Sequence, residues 1–551
     1  MLPSTLAKRS SLLLFLLIIA FYLFGLGHFP LLGPDEPRYA EVAREMLQRG
    51  DLITPTLGDR PWFEKPALLY WLMIASYKLF GVNEWAARLP SAVAGILTVV
   101  PVFLIGRRIE LKATDELPKL GFWNAIACST TLGLIVFSRA ASFDIILTMT
   151  ITWSLVCFFL HEIGTNEKRR RLWLAGFYAF IGISLLAKGF IGAVIPGGTV
   201  IAYYLLRRRM PDRSALVSII WGVPLSLVVA ASWYAPVIAR HGNLFIDQFI
   251  WQHQFSRYVS NNYRHPGPFY YYLAILVPLT LPWTIFLIGG LARAASWTWR
   301  KSTHTDDPAR KYIAFAFVWL LVPLLFFSFS SSKLPGYILP ALPAATLLIG
   351  ERLARVTSIR QSNAWKLKTT AAFCFVIAFV LPVMAWRWER QLINCGLLIA
   401  GFLALAALIA MFTNQRRSIG VIGLGAATIC VVLVSLFCAA GSYADRESSK
   451  RLLQLADTRG HSQTVIYGLK LDDRSPEFYA AGRVTYLPNG EPYIYEGPGQ
   501  LVNECLRRGG PVLSFVPLEG LYELHCAWAA QTEVIGDNGR VALVVVTPRS
   551  W

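Results

Sequence analysis

L-L-L-F-L-L-I-I-A-F-Y-L-F-G-L-G-H-F-P-L-L (Leu12–Leu32) carries no charge and gives way at once to G-P-D-E-P-R-Y-A-E-V-A-R-E-M-L-Q-R-G (Gly33–Gly50), where charged residues crowd. The first stretch has the length a helix needs to cross the hydrocarbon core. It is too long for the apolar region of a cleaved signal and reads as a retained span. Apolar runs of similar length recur as far as residue 440, without the two-residue alternation of membrane strands. Only 15% of the 551 residues are charged, against about 25% in soluble domains. The fold class is therefore an all-α polytopic membrane protein.

Charge sets the expected topology. Lys8 and Arg9 precede the first span and put the N-terminus in the cytoplasm, with the charged loop on the far side. Ala67–Phe80 is short and reads as a helix lying in the interface, so the next run ends at Arg107-Arg108 in the cytoplasm. Spans then follow near 121–138, 145–163, 172–188, 190–206, 214–237, 269–292, 312–330, 335–350, 369–386, 392–412 and 419–440. This count of about 13 spans gathers Lys168–Arg171, Arg207–Arg209 and Arg416-Arg417 on the cytoplasmic side. The net charge of +19 is thus largely topological, and nucleic acid is not an expected partner; membrane lipid is. Charge left on the other side needs a different reason, and binding of an anionic substrate is the simplest.

Residues 1–440 form the expected membrane domain, with a first outer loop at 32–88. Residues 441–551 read as a small α/β domain, with helices at Ser448–Thr458 and Gly499–Arg508 and strands at Thr464–Gly468, Pro511–Val516 and Val541–Thr547. Cys505 and Cys526 are the one candidate disulfide pair. The other six cysteines, Cys395 and Cys438 among them, lie in apolar spans and read as small hydrophobes.

The loop contains a helix of its own. Pro37 suits a first helical position and Gly50 a stop. Tyr39, Val42, Ala43, Met46 and Leu47 make one apolar face; Arg38, Glu41, Glu45 and Gln48 make the other, as in a helix at a membrane surface. Asp35 reads either as a helix cap or as the acidic group of a site at the boundary. In F-E-K-P (Phe63–Pro66), Glu64 and Lys65 pair with each other, or Lys65 meets a phosphate to which Arg38 adds a bidentate fork. In S-R-A-A-S-F-D, Arg139 neutralises Asp144, or both line a cavity. His253 and Arg257 lie in W-Q-H-Q-F-S-R-Y. His265 with Glu64 is a candidate divalent-metal pair, fewer ligands than a site needs, and no other cofactor is indicated.

P-D-E-P-R-Y-A-E-V-A-R-E-M-L, F-E-K-P, G-V-N-E-W-A-A-R-L-P and S-K-L-P-G-Y-I-L-P together resemble the undecaprenyl phosphate–aminoarabinose transferases (the ArnT family), relatives of the protein O-mannosyltransferases in the membrane-embedded GT-C class. The resemblance extends from Ser11 to about Ala440 and implies a GT-C fold with a periplasmic α/β appendage. It further implies transfer of 4-amino-4-deoxy-L-arabinose from undecaprenyl phosphate to lipid A phosphates at the periplasmic face of the inner membrane, with resistance to polymyxin and cationic peptides. By motif position Asp35 is expected as the essential, catalytic acidic residue of the loop. Lys65 and Arg38 are expected to hold the lipid phosphate, with Tyr39, Glu64, Arg139, Asp144, Lys333, Tyr337, His253 and Arg257 as further substrate contacts. Single displacement with inversion is the expected mechanism. A related transferase acting on protein or another lipid, and a lipid-phosphate flippase, are the alternatives. The flippase is disfavoured because no internal repeat appears and polar residues gather at the outer boundary, away from the midplane.

Overall fold

The computed structural model describes residues 3–112, 117–256, 267–299, 307–358, 365–413, 415–471, 473–487, 490–526 and 529–549. Among them nine helices are long and apolar enough to cross a membrane, and a tenth span counts if Leu120–Thr130 and Leu132–Ser138, bent by 59°, are taken together. Shorter apolar helices lie at Ser10–Leu23, Leu68–Phe80, Ile191–Arg207 and Thr284–Ser296. The protein is a multi-pass helical membrane protein with a small C-terminal sheet. The chain divides into two compact units: residues 1–24, 64–69 and 89–435, and residues 25–63, 70–88 and 436–551.

In the first unit two of the expected spans are broken. The run 121–138 bends at Thr131, whose ψ of 120° is extended. The run 269–292 divides into Tyr271–Leu279 and Thr284–Trp299. Backbone groups freed inside a membrane must find partners within the protein, and the two breaks supply each other: Leu132 N–H donates to the Leu281 carbonyl at 3.0 Å, and the Trp283 indole donates to Thr130 Oγ1 at 3.0 Å. A third irregular piece is the 3₁₀ segment Pro335–Ala341, between Pro308–Ser328 and Leu342–Thr357.

Helix packing in this unit uses small residues around one buried amide. Asn124 donates to the Val102 carbonyl at 3.2 Å and accepts from the Tyr312 hydroxyl at 3.1 Å. It fits because Gly350 faces it: a Cβ there would lie 2.0 Å from Asn124 Oδ1. Close backbone approach over small residues, joined by a polar side chain, is a common way for membrane helices to associate.

In the second unit Asp35–Arg49 is a helix closed by Gly50 at φ 66°. Its first residue is Asp35, so Pro37 is the third helical residue, still in the turn where a missing N–H costs nothing. Both faces are buried, Glu41 and Glu45 included, in contrast to the solvated polar face read from the sequence. Glu45 accepts from Gly58 N–H at 2.7 Å and Asp59 N–H at 3.2 Å. These residues, at φ 61° and 59°, turn the hairpin between Thr56–Leu57 and Arg60–Pro61, the geometry a two-residue turn needs. A side chain at Gly58 would also strike the Tyr486 ring.

The C-terminal sheet has strand order Ile494–Tyr495, Ile466–Leu469, Val512–Pro517, Val541–Pro548, Ala530–Asp537, with the first three parallel and Val541–Pro548 antiparallel to both of its neighbours. Val512, Val516, Ala542, Val544 and Val546 pack with Leu501, Val502 and Cys505 of helix Pro498–Arg508. Leu513, Phe515, Leu543 and Val545 pack with Leu452, Leu453 and Ala456 of helix Lys450–Thr458. Burial on both faces explains the unbroken apolar run from Val541 to Val546. Cys505 is a buried free thiol and Cys526 an exposed one, so they do not pair.

Gly350→Val is expected to force Asn124 from its bonds, and overpacking of this kind costs about 1–3 kcal/mol. Thermal unfolding of the purified protein in detergent should show a lower midpoint for Gly350→Val and a smaller loss for Gly350→Ala.

Candidate active site

In the first unit, charge gathers around the 3₁₀ segment. Asp144 opens helix Phe143–Glu162, where Ser142 Oγ accepts from its N–H at 3.1 Å. The Asp144 carboxylate is ion-paired with Lys188, which closes helix Glu167–Lys188. Lys188 Nζ also lies 4.6 Å from the centroid of the Tyr337 ring, a cation–π contact that gains strength away from water. Gly336 allows this approach, since a Cβ there would lie 2.2 Å from Asp144 Oδ2. Arg139 therefore does not neutralise Asp144 as one reading of the sequence had it. Its guanidinium donates to the carbonyls of Phe21 and Phe24, where the first helix ends.

Lys333, two residues before the segment, is 7% exposed. Its ammonium is bonded by the carbonyls of Ser328 and Ser330, and among the described residues no carboxylate lies within ion-pair distance. Carbonyl dipoles solvate a cation without cancelling its charge, so this position stays electropositive. Glu64 and Lys65, both buried, pair at 2.7 Å.

In the second unit, Asp35 is half-exposed and accepts from Arg38 at 2.5 Å. The Arg38 guanidinium lies over the rings of Tyr39 and Trp62, at 5.4 and 5.6 Å. Tyr39 itself is buried, edge-on to Tyr70. The neighbouring acid, Glu36, is buried. Arg88, with no exposed side-chain surface, donates to both Glu36 oxygens at 2.9 and 2.7 Å and to the carbonyls of Leu26, Phe29 and Pro30, each at 2.8 Å. This pair fixes the chain immediately before Asp35, and removing one partner of such a pair costs about 3–5 kcal/mol.

Arg44, next on the helix, donates to Glu41 and to the Phe478 carbonyl, stacking on the Phe478 ring. Tyr479 OH accepts from Leu31 N–H at 2.7 Å and donates to Glu84, which also pairs with Lys450. The C-terminal segment 474–479 thus holds the loop from Leu31 to Arg44 directly.

Glu36, Arg88 and Lys188 are not among the catalytic and substrate-contact residues expected from the sequence. Arg88 lies in the quoted G-V-N-E-W-A-A-R-L-P, and Lys188 is a lysine closing an apolar helix; each signal was in the sequence, but its partner was not. His253 is half-buried at the end of the π-helical stretch Ile246–Ser256. Arg257 and His265 lie outside the described residues. No group of three or more His, Cys, Asp or Glu side chains among the described residues suits a metal, and the described Glu64 carboxylate is engaged by Lys65.

Residues 9–288 match the family model described as dolichyl-phosphate-mannose-protein mannosyltransferase. An undecaprenyl phosphate-alpha-4-amino-4-deoxy-L-arabinose arabinosyl transferase from Pseudomonas fluorescens is 32% identical over 361 residues, 65% of this chain and 58% of that protein. The chain thus spans less than two thirds of that relative. The Yersinia enterocolitica protein of the same description is 30% identical over 395 residues, 70% of this chain and 67% of its own length. Among solved structures, ArnT from Cupriavidus metallidurans bound to undecaprenyl phosphate superposes with a TM-score of 0.78 at 22% identity, covering 98% of each chain. That likeness shows the fold.

Burial pushes the Glu41 carboxyl up to about 8, helped by Glu45 and Glu477 and opposed by Arg44. A buried acid with a raised value contributes most stability below its ordinary value near 4.5 and loses it as pH rises toward 8. Glu41→Gln is expected to flatten this decline. Amide exchange in helix Asp35–Arg49 should speed up between pH 5 and pH 8 in the wild type and change less in the variant, once corrected for intrinsic exchange.

Proposed function

The chain belongs to the family of undecaprenyl phosphate–aminoarabinose arabinosyl transferases, and from that premise we propose that it moves 4-amino-4-deoxy-L-arabinose from undecaprenyl phosphate to a phosphate of lipid A. The observation that carries this reading is the buried Lys333 ammonium, whose partners among the described residues are carbonyls. A cation kept out of water without a carboxylate is poised for an anion, and both donor and acceptor are phosphates.

In the proposed reaction a lipid A phosphate oxygen attacks the anomeric carbon. The bond from that carbon to the donor phosphate breaks, and undecaprenyl phosphate leaves with the electron pair, gaining one negative charge. The acceptor is already an oxyanion near neutral pH, so no strong base is needed. What lowers the barrier is fixed positive charge aimed at the leaving phosphate. Lys333 and Lys65 are proposed for that task. Lys188 is held by Asp144 and supports Tyr337, which gives the segment a rigid shape. Asp35, exposed and paired with Arg38, suits a carboxylate that holds the sugar's ammonium and steadies positive charge building on the ring. The proposed setting is the inner membrane, with the 32–88 loop and residues 441–551 periplasmic.

The test is expression in a Gram-negative strain lacking its own transferase, with lipid A weighed by mass spectrometry and polymyxin resistance measured. Wild type is expected to add one aminoarabinose mass and restore resistance. Lys333→Met should lower the rate by about 10²–10³-fold, the usual cost of removing one transition-state charge contact, with Lys333→Arg recovering part of it. Asp35→Ala should abolish the addition at equal protein level. No addition by wild type would move the acceptor to protein or another lipid. The anomeric configuration of the product, read by NMR, is expected to be inverted; retention would sink single displacement.

A further inference from the structure

A second cationic centre lies apart from Lys333 and Asp144. Glu351, on helix Leu342–Thr357, has a side chain only 2% exposed. Three guanidiniums converge on it. Arg293 Nε, from helix Thr284–Trp299, lies 3.3 Å from Oε1; Arg352 Nη1 lies 3.8 Å from Oε2; and Arg355 Nε is bonded to Oε1. Lys366, second residue of helix Trp365–Trp388, reaches across with its ammonium against Gly289, one turn before Arg293. It stands within electrostatic reach of Arg293, Arg352 and Glu351. Among the described residues four cations from three helices thus face one carboxylate.

Topological charge does not require this arrangement. Lys and Arg that only mark a cytoplasmic loop project into water, whereas burying like charges together costs free energy unless an anion meets them. The neighbouring sequence does not supply enough anions: across 293–311 and 351–368 the only other acids are Asp306 and Asp307, and Asp307 lies beside Arg310. Among the described residues Arg352 Nε is buried with no hydrogen-bond partner. Glu351 serves to orient the guanidiniums, and among the described residues the cations outnumber it.

The surroundings indicate what the anion is attached to. Trp365 is 52% exposed at the end of its helix, and Ile288 is 61% exposed beside Gly289. From Trp365 an exposed apolar stripe follows the same helix through Phe375, Val376 and Phe379. Tryptophan at a helix end marks headgroup depth, and basic pockets between helices at that depth take lipid phosphates. We propose that Arg293, Arg352, Arg355 and Lys366 form a binding site for the headgroup phosphate of an anionic phospholipid, whose acyl chains lie along helix Trp365–Trp388. The site does not depend on the sugar-transfer reading.

Native mass spectrometry of the full chain, delipidated and returned to phosphatidylglycerol or phosphatidylcholine, tests this. Wild type is expected to retain phosphatidylglycerol preferentially. Arg352→Gln and Arg355→Gln should weaken retention by roughly tenfold each, the effect of losing a charge-assisted bond to phosphate; Arg310→Gln should not. Equal retention of both lipids, or unchanged retention in both variants, overturns the proposal. Displacement of the lipid by inorganic phosphate alone would assign the site to a free anion and overturn the lipid. If the Gln variants fail to fold, the wild type decides: phosphatidylglycerol should raise its unfolding temperature above that in phosphatidylcholine, and no difference overturns the proposal.

Discussion

Charge removed from water has to be met by opposite charge or by oriented dipoles, and the polar parts of both units are arranged by that requirement. Arg88 makes five bonds, two to Glu36 and three to carbonyls of the chain just before it. A guanidinium satisfied so fully defines the path of residues 26–36, and so the position from which Asp35 starts its helix. In the first unit the same requirement joins Asp144 to Lys188 and sets Tyr337 under the ammonium. Lys333 is the instructive contrast, because carbonyls hold its position without cancelling its charge.

Irregular backbone is found where these groups are needed. A membrane-embedded chain abandons the helix only where protein supplies the lost bonds. The breaks at Thr131 and at 280–283 do so through Leu132, Leu281, Trp283 and Thr130. The 3₁₀ segment 335–341 places Gly336 against Asp144, an approach that a side chain at that position would block.

The second unit joins two pieces far apart in sequence. Helix Asp35–Arg49 is covered on the side that its own pattern marks as polar, because Arg44 reaches Phe478 and Glu45 holds the 58–59 turn. The C-terminal segment therefore takes part in shaping the charged loop. Its own sheet is buried on both faces and supplies a firm base.

The amino-acid sequence by itself determined a great deal. The length and spacing of apolar runs made the chain a polytopic helical membrane protein, because hydrocarbon leaves helices as the economical way to satisfy the backbone. The i, i+3, i+4 pattern with Gly50 marked the loop helix to within a residue or two. The tail's pattern located two of its helices and three of its strands, but not the strands Ile494–Tyr495 and Ala530–Asp537. Four short motifs together pointed to the family. Only the tertiary structure decided which charges meet. Asp144 pairs with Lys188, 44 positions away, and not with nearby Arg139; Glu36 pairs with Arg88; Glu41 and Glu45 are buried. The reason is physical: periodicity reports the local direction of a side chain, whereas a buried charge's partner is chosen by whatever distant segment packs against it.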